Sequence, residues 1–277
     1  MIDMPKKYSN ILKNYKYIDL FAGIGGFRLA LDSFGAKCVF TSEWDKHSQD
    51  VYIKNFGDEP NGDITEIHEK DIPKHDFLFG GFPCQPFSIS GKQKGFGDTR
   101  GTLFFDIARI AKHHKPKIMI LENVKNILTI NKGETVENIK EVLEKELNYS
   151  VFIKLLKGNA FGVPQQRERV FFMCFYKSLK VSNFGLSNQD FNKYSVRDIL
   201  EEGRFPEIEI NREDISISKK SPMKDLFSNF PNKPIRIGTI NKGGQGERIY
   251  HIDGVGITLS AHGGGPGKKT GAYLINN

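Results

Sequence analysis

At 277 residues the chain is long enough for one or two domains with a full apolar core, and its three cysteines supply neither a disulfide framework nor a C-x-x-C zinc pattern. A formal net charge of +7 tilts the reading toward a polyanionic partner. The N-terminus is polar and lysine-rich, and no run of about eighteen apolar residues occurs, so the expectation is a soluble, cytoplasmic protein.

The first apolar run, Lys16 to Phe21, reads as a buried strand, and Ala22-Gly23-Ile24-Gly25-Gly26 turns it into a helix carrying Phe27, Leu29, Ala30, Leu31 and Phe34. A second strand, Lys37 to Thr41, ends at Glu43, twenty positions beyond Gly23. That is where a dinucleotide-type fold places the acid that holds ribose hydroxyls. The glycines do not follow G-x-G-x-x-G, so a cofactor with a ribose but no pyrophosphate suits the turn better. Trp44, the single tryptophan, follows Glu43 directly. Core packing and a flat platform for a base are both open to it.

Asp63-Ile64 reads as the edge of a third strand and Asp76 to Phe79 as a fourth. The fourth leads into Gly80-Gly81-Phe82-Pro83-Cys84-Gln85-Pro86, where two prolines keep Cys84 out of regular structure. A thiol in a loop at a strand's carboxyl end is a candidate nucleophile, whereas Cys38 and Cys174 lie inside apolar stretches and read as reduced core residues. From Gln85 to Thr102 the chain is rich in glycine, lysine and arginine, a composition that suits a lid over a phosphate backbone.

A helix over Leu103 to Ala111, a strand over Lys117 to Leu121 capped by Glu122-Asn123-Val124, a helix over Thr135 to Leu147 and strands over Tyr149 to Leu156 and Arg169 to Phe175 follow. Alternating strands and helices argue for a doubly wound parallel sheet, with Glu122 at the same end of it as Cys84. Gln166-Arg167-Glu168-Arg169 places two arginines at alternating positions entering a strand, so both can face one side. Beyond about Lys177 the texture becomes short, polar and turn-rich, which marks a second, irregular domain. Its segment Gly263 to Gly271 mimics a phosphate loop, but His262 and Lys269 occupy positions where a Walker A motif needs glycine and a hydroxyl residue.

The ordered set Asp19-Leu20-Phe21-Ala22-Gly23-x-Gly25-Gly26, Glu43-Trp44, Gly81-Phe82-Pro83-Cys84-Gln85, Glu122-Asn123-Val124 and Gln166-Arg167-x-Arg169 resembles the bacterial cytosine-5 DNA methyltransferases in identity and order. The resemblance implies a Rossmann-like catalytic domain over 1–190 and a smaller, mostly β target-recognition domain over 191–277. It implies methyl transfer from S-adenosylmethionine to a flipped cytosine in double-stranded DNA, as part of a restriction-modification system. Cys84 would be the nucleophile, Glu122 and Arg169 would hold the base, and Arg167 would anchor the loop or a phosphate.

By the same resemblance, Asp19, Phe21, Gly23 and Gly25 form the cofactor turn and Glu43 holds the ribose. Trp44 then lies against adenine, Asp63 and Ile64 form the adenine edge, and Pro83 and Leu103 line the methyl-donor side. Ser90 and Gln245 would fill the gap left by the flipped base, and Arg248 would read guanine. The segment Gln245 to Tyr250 resembles enzymes that methylate GCGC. The family continues past this point with a segment that returns to the cofactor turn, so a second, short polypeptide supplying it is a further expectation. An RNA cytosine-5 methyltransferase and a catalytically deficient DNA-binding remnant are the competing readings.

Overall fold

The computed structural model describes residues 10–83, 103–186, 194–201, 213–218, 233–258 and 271–274. Two compact units divide the chain, Met1–Leu155 with Arg169–Gly185, and Leu156–Glu168 with Leu186–Asn277. Residues 156–168 thus cluster with the second unit, whereas the sequence reading places them in the first domain.

The first unit is built on six strands, β1 (Lys16–Leu20), β2 (Lys37–Ser42), β3 (Phe77–Gly81), β4 (Ile118–Val124), β5 (Tyr149–Lys157) and β6 (Glu168–Tyr176), in the order β2-β1-β3-β4-β6-β5. β2, β1, β3 and β4 run parallel, but β6 is antiparallel to β4, so the sheet is mixed rather than all parallel. Strict alternation along the central strands divides their side chains between two cores. Ile18, Leu20, Leu78, Met119 and Leu121 enter the larger core. Tyr17, Phe77, Phe79, Ile118 and Ile120 enter the smaller one on the other face.

Helices cover both faces. α1 (Gly26–Ser33) gives Leu31 to the smaller core, while α3 (Leu103–His114) and α4 (Glu134–Glu141) give Phe104, Ile107, Ile110, Val136 and Ile139 to the larger. Spacings of three and four along α3 put these residues on one stripe. α4 continues through a π turn, Val142–Glu146, which accounts for the longer helix expected from the sequence. α2 (Lys46–Phe56) is capped at its start by Asp45, whose carboxylate accepts from Ser48 N at 2.8 Å, and ends on Gly57 in the left-handed region at φ 75°.

The third strand expected at Asp63-Ile64 is instead a 3-10 turn, Ile64–Glu66. Asp63 Oδ1 accepts from both Thr65 N and Thr65 Oγ1 at 2.9 Å, and this local capping outcompetes sheet pairing. The second unit contains a four-stranded sheet of β7 (Ile215–Ile217), β8 (Ile235–Ile240), β9 (Arg248–His251) and β10 (Ala272–Leu274), in the order β10-β9-β8-β7, over a small core of Ile237, Ile240 and Ile249. Among the described residues no helix is long and apolar enough to cross a membrane.

Candidate active site

The carboxyl ends of β1, β2, β3 and β4 share one edge of the sheet, where open α/β folds bind ligands. At β1 the chain leaves the strand through Phe21 at φ 57°, then Gly23 at φ 56° and Gly25 at φ 94°. A left-handed phenylalanine is costly, and it turns the Phe21 ring toward the ligand side. A side chain at Gly25 would collide with Phe56, whose Cε2 lies 2.1 Å from the added carbon, so α2 closes directly on the turn. Arg28 reinforces this closure. It pairs with Asp32 at 2.6 Å and Asp58 at 2.8 Å, donates to Tyr52 Oη at 3.2 Å and lies 5.3 Å from the Phe56 ring centre.

Glu43 links the turn to the end of β2. Its Oε2 accepts from Gly23 N at 2.7 Å and its Oε1 from Asp45 N at 2.9 Å, so the spacing of twenty residues becomes a contact. Each carboxylate oxygen keeps a further lone pair for a ligand hydroxyl. Trp44, next in the chain, is 74% exposed, which removes core packing as its role. Phe21, Ser42, Glu43, Trp44, Gly62, Asp63, Ile64 and Leu103 line a cleft of about 240 Å³. Six of these are site residues in the sequence reading. Ser42 and Gly62 are the two that reading misses, although Gly62 at φ 74° marks the sharp turn just before Asp63.

Arg109 of α3 holds the cleft wall from behind. It donates to Ile64 O at 2.6 Å and pairs with Glu69 at 3.1 Å and Asp106 at 2.9 Å. Asp19, by contrast, does not reach the cleft. It is fully buried in β1, and neither of its carboxylate oxygens has a hydrogen-bond partner. Burial pushes this carboxyl up to about 8, with Glu43 adding to the shift and Arg28 opposing it.

At β4, Glu122 lies opposite Gly81 of β3 and, across the antiparallel pair, opposite Phe171 of β6. Arg169, two residues along β6, is therefore its diagonal neighbour on the same face. The pair is made through Arg169 Nε and Glu122 Oε1 at 2.8 Å, with each side chain about one-fifth exposed. A side chain at Gly81 would crowd Glu122 Oε2 at 3.4 Å. Asn123 is buried, and its Nδ2 donates to Phe82 O at 2.9 Å while its Oδ1 accepts from Val124 N at 2.8 Å.

Pro83 is exposed and is the last described residue before the loop, so Cys84 and Ser90 lie outside the described residues. Arg167 does not enter the strand beside Arg169 as expected, because β6 begins at Glu168. Its backbone instead closes a turn, donating to Gln165 O at 2.9 Å and accepting from Gly158 N at 2.8 Å within the second unit. In that unit Gln245 opens a 3-10 turn, Gln245–Glu247, and Arg248 begins β9 with a buried Nε that has no hydrogen-bond partner. Cys174 is buried and its thiol is pushed up by that burial, while Cys38 is half-buried against Thr41, its Sγ 3.3 Å from Oγ1. Both match their reading as core residues.

The family model for C-5 cytosine-specific DNA methylases matches residues 15–246. The Type II methyltransferase M.HhaI of Haemophilus parahaemolyticus is 49% identical over 277 residues, all of this chain and 82% of that protein. M.HaeII of Haemophilus aegyptius, also a Type II methyltransferase, is 46% identical over 220 residues, 78% of this chain and 69% of its own length. Among solved structures, a DNMT2 variant from Spodoptera frugiperda superposes with a TM-score of 0.54 at 25% identity, covering 69% of this chain and 61% of that one.

Proposed function

The chain belongs to the C-5 cytosine-specific DNA methylases, and we propose that it transfers a methyl group from S-adenosylmethionine to C5 of a cytosine flipped out of double-stranded DNA, within GCGC, as the modification enzyme of a restriction-modification system. The observation that carries this reading is the Glu122–Arg169 pair at 2.8 Å, one strand away from the Phe82-Pro83 exit that delivers Cys84.

C5 of cytosine becomes nucleophilic only when something adds at C6, because addition breaks the ring's aromaticity and leaves C5 enamine-like. Cys84 supplies the thiolate for that addition. Glu122 bonds the N3 and exocyclic amine edge and stabilises the charge that gathers on the ring, while Arg169 holds O2. Their mutual ion pair keeps both groups oriented before the base arrives. A base that is stacked in a duplex offers neither face, so the cytosine leaves the helix at a cost of a few kcal/mol. After transfer, loss of the C5 proton to an unassigned base and departure of the thiol restore the ring.

Bound S-adenosylmethionine supplies the methyl group as an electrophile. The cleft suits such a cofactor in the chemistry of its lining, with the exposed Trp44 ring for a base and the Glu43 carboxylate for ribose hydroxyls. Asp63 and Ile64 offer the adenine edge, and Phe21, Pro83 and Leu103 the sides of the site. Asp19, Gly23 and Gly25 act by shaping the turn. GCGC rests on the resemblance of Gln245 to Tyr250, with Gln245 and Ser90 filling the vacated stack and Arg248 on guanine, a contact worth about 1–3 kcal/mol of discrimination. Arg167 serves the loop or a phosphate. The second, short polypeptide expected above gains no support from any of these findings.

Bisulfite sequencing of DNA incubated with the protein and S-adenosylmethionine tests the reading, with conversion resistance expected at the inner cytosine of GCGC. DNA carrying 5-fluorocytosine should be trapped covalently, because fluorine blocks the elimination step, and a peptide map should place the adduct on Cys84. An adduct on Cys38 or Cys174, or transfer to tRNA in preference to duplex DNA, would overturn it.

A further inference from the structure

The backbone ladder between β3 and β4 ends at Gly81 opposite Glu122. Past that rung, Pro83 has no N–H, so the strand end that carries the thiol cannot extend the ladder with its own backbone. Phe82 O, one residue beyond the last rung, would be a buried acceptor without a donor from that ladder, a state that costs about 1–3 kcal/mol. Asn123 meets this need. Only 1% exposed, it donates through Nδ2 to Phe82 O at 2.9 Å and accepts at Oδ1 from Val124 N at 2.8 Å. The Phe82 carbonyl belongs to the Phe82–Pro83 peptide plane, and Cys84 is the next residue, while Asn123 is the immediate neighbour of Glu122. One side-chain amide thus joins the exit of the nucleophile's strand to the exit of the carboxylate's strand.

We propose that Asn123 is a positioning residue for methyl transfer, fixing the Phe82–Pro83 peptide plane, and through it the thiol, relative to Glu122. This rests on the assignment of Cys84 and Glu122 made above. Asn123 touches neither cytosine nor cofactor in this scheme. It acts by removing one rotation from the chain just before the nucleophile, and misplacement by about 1 Å costs on the order of 10²-fold in rate.

The isosteric change Asn123→Asp separates positioning from folding. It keeps the acceptor for Val124 N, but offers Phe82 O a donor only while the carboxyl is protonated. Single-turnover methylation of duplex DNA by Asn123→Asp should fall about 100-fold below wild type at pH 8, with affinities for S-adenosylmethionine and DNA within about twofold. The ratio of variant to wild-type rate should then rise about tenfold or more as pH falls to 6. Asn123→Ala, which has no donor at any pH, should show no such rise. A variant rate within about threefold of wild type at pH 8, or a ratio that does not change with pH, overturns the inference. So does loss of cofactor binding and of a cooperative thermal transition in both variants, which would make Asn123 a residue of the fold. Failure of the wild-type protein to trap 5-fluorocytosine DNA would instead remove the underlying assignment, so the two failures are distinguishable.

Discussion

The two ends of the six-stranded sheet are made of similar residue types put to opposite uses. At the amino end, Asp76 accepts from Lys16 N at 3.0 Å and from Lys117 Nζ at 2.9 Å, and its own backbone bridges Lys16 and Lys117. The partnership holds the Asp76 carboxyl below its usual range against the opposing effect of burial. At the carboxyl end, Phe21 sits at positive φ on the cleft, Glu122 and Arg169 form a pair about one-fifth exposed, and the Glu43 carboxylate retains lone pairs. One end ties the starts of three strands to one another, and the other carries the lining of the cleft. Stability and ligand chemistry are therefore expected to separate along the strands.

The sharpest test of that separation is Glu122→Gln. The amide remains nearly isosteric and can still lie beside Arg169, but it loses the charge proposed above to stabilise the ring during addition. Single-turnover methylation should drop on the order of 10²- to 10³-fold with little change in thermal stability. A fall in melting temperature comparable to that of a core truncation would mean that Glu122 serves the sheet as Asp76 does.

The opposite test lies at the amino end, where His75 is 6% exposed, its Nδ1 lies 2.8 Å from Pro73 O and its buried Nε2 has no partner. Its ring packs at a tilt against His114, with 4.6 Å between centres. Burial pulls the His75 pKa down to about 4 from 6.5, with His114 adding to the shift and Pro73 O and Asp76 opposing it. The fold holds the neutral ring, so this contribution is complete above about pH 6.5 and is lost as pH falls toward 4. It amounts to about 2 kcal/mol by pH 5. Urea unfolding at pH 7.5 and pH 5 should show that loss in wild type and a smaller one in His75→Phe, with S-adenosylmethionine affinity of the variant unchanged at pH 7.5. Equal losses in both proteins would place the acid sensitivity elsewhere.

How far the sequence reveals this division depends on what each residue contacts. The central strands are legible because alternation over Ile18 to Leu20 and Phe77 to Phe79 is dictated by burial on both faces. Glu43 and Trp44 are legible because their distance from the glycine turn is set by one strand-turn-helix unit. The antiparallel direction of β6 is not legible, since an apolar run such as Val170 to Phe175 reads the same either way. Asp63-Ile64 misleads because an apolar residue after a turn resembles a strand edge until Thr65 is seen to close onto Asp63. Asn123 carries no pattern at all, because its partner is a backbone carbonyl whose need arises where the β3–β4 ladder ends, one residue past its last rung.

Glu43→Gln bears on the carboxyl end alone. The carboxylate accepts backbone N–H groups at both oxygens, so the amide must turn an NH2 toward either Gly23 N or Asp45 N and lose one of those bonds. It also offers a weaker acceptor to a ribose hydroxyl. Calorimetry should show S-adenosylmethionine binding weakened by about 1–3 kcal/mol. An unchanged dissociation constant would make Glu43 a brace for the turn, like Asp76 at the other end.

The smallest effect is expected from Lys117→Ala, and its smallness is the point. Lys117 Nζ reaches Asp76 Oδ1 at 2.9 Å and lies 5.4 Å from the Tyr15 ring centre, but the side chain is 56% exposed. An ion pair this open gains little over its hydrated partners and costs side-chain entropy to hold. Asp76 also keeps its bond from Lys16 N when Lys117 is removed, and the backbone bond from Lys117 N to Asp76 O at 2.7 Å does not depend on the side chain. The loss should stay below about 1 kcal/mol, shrink further in high salt, and leave the methyl-transfer rate unchanged. A variant that unfolds normally yet methylates slowly would show that the amino end transmits its geometry along β3 or β4 to the thiol and to Glu122. The two ends would then be coupled through the strands.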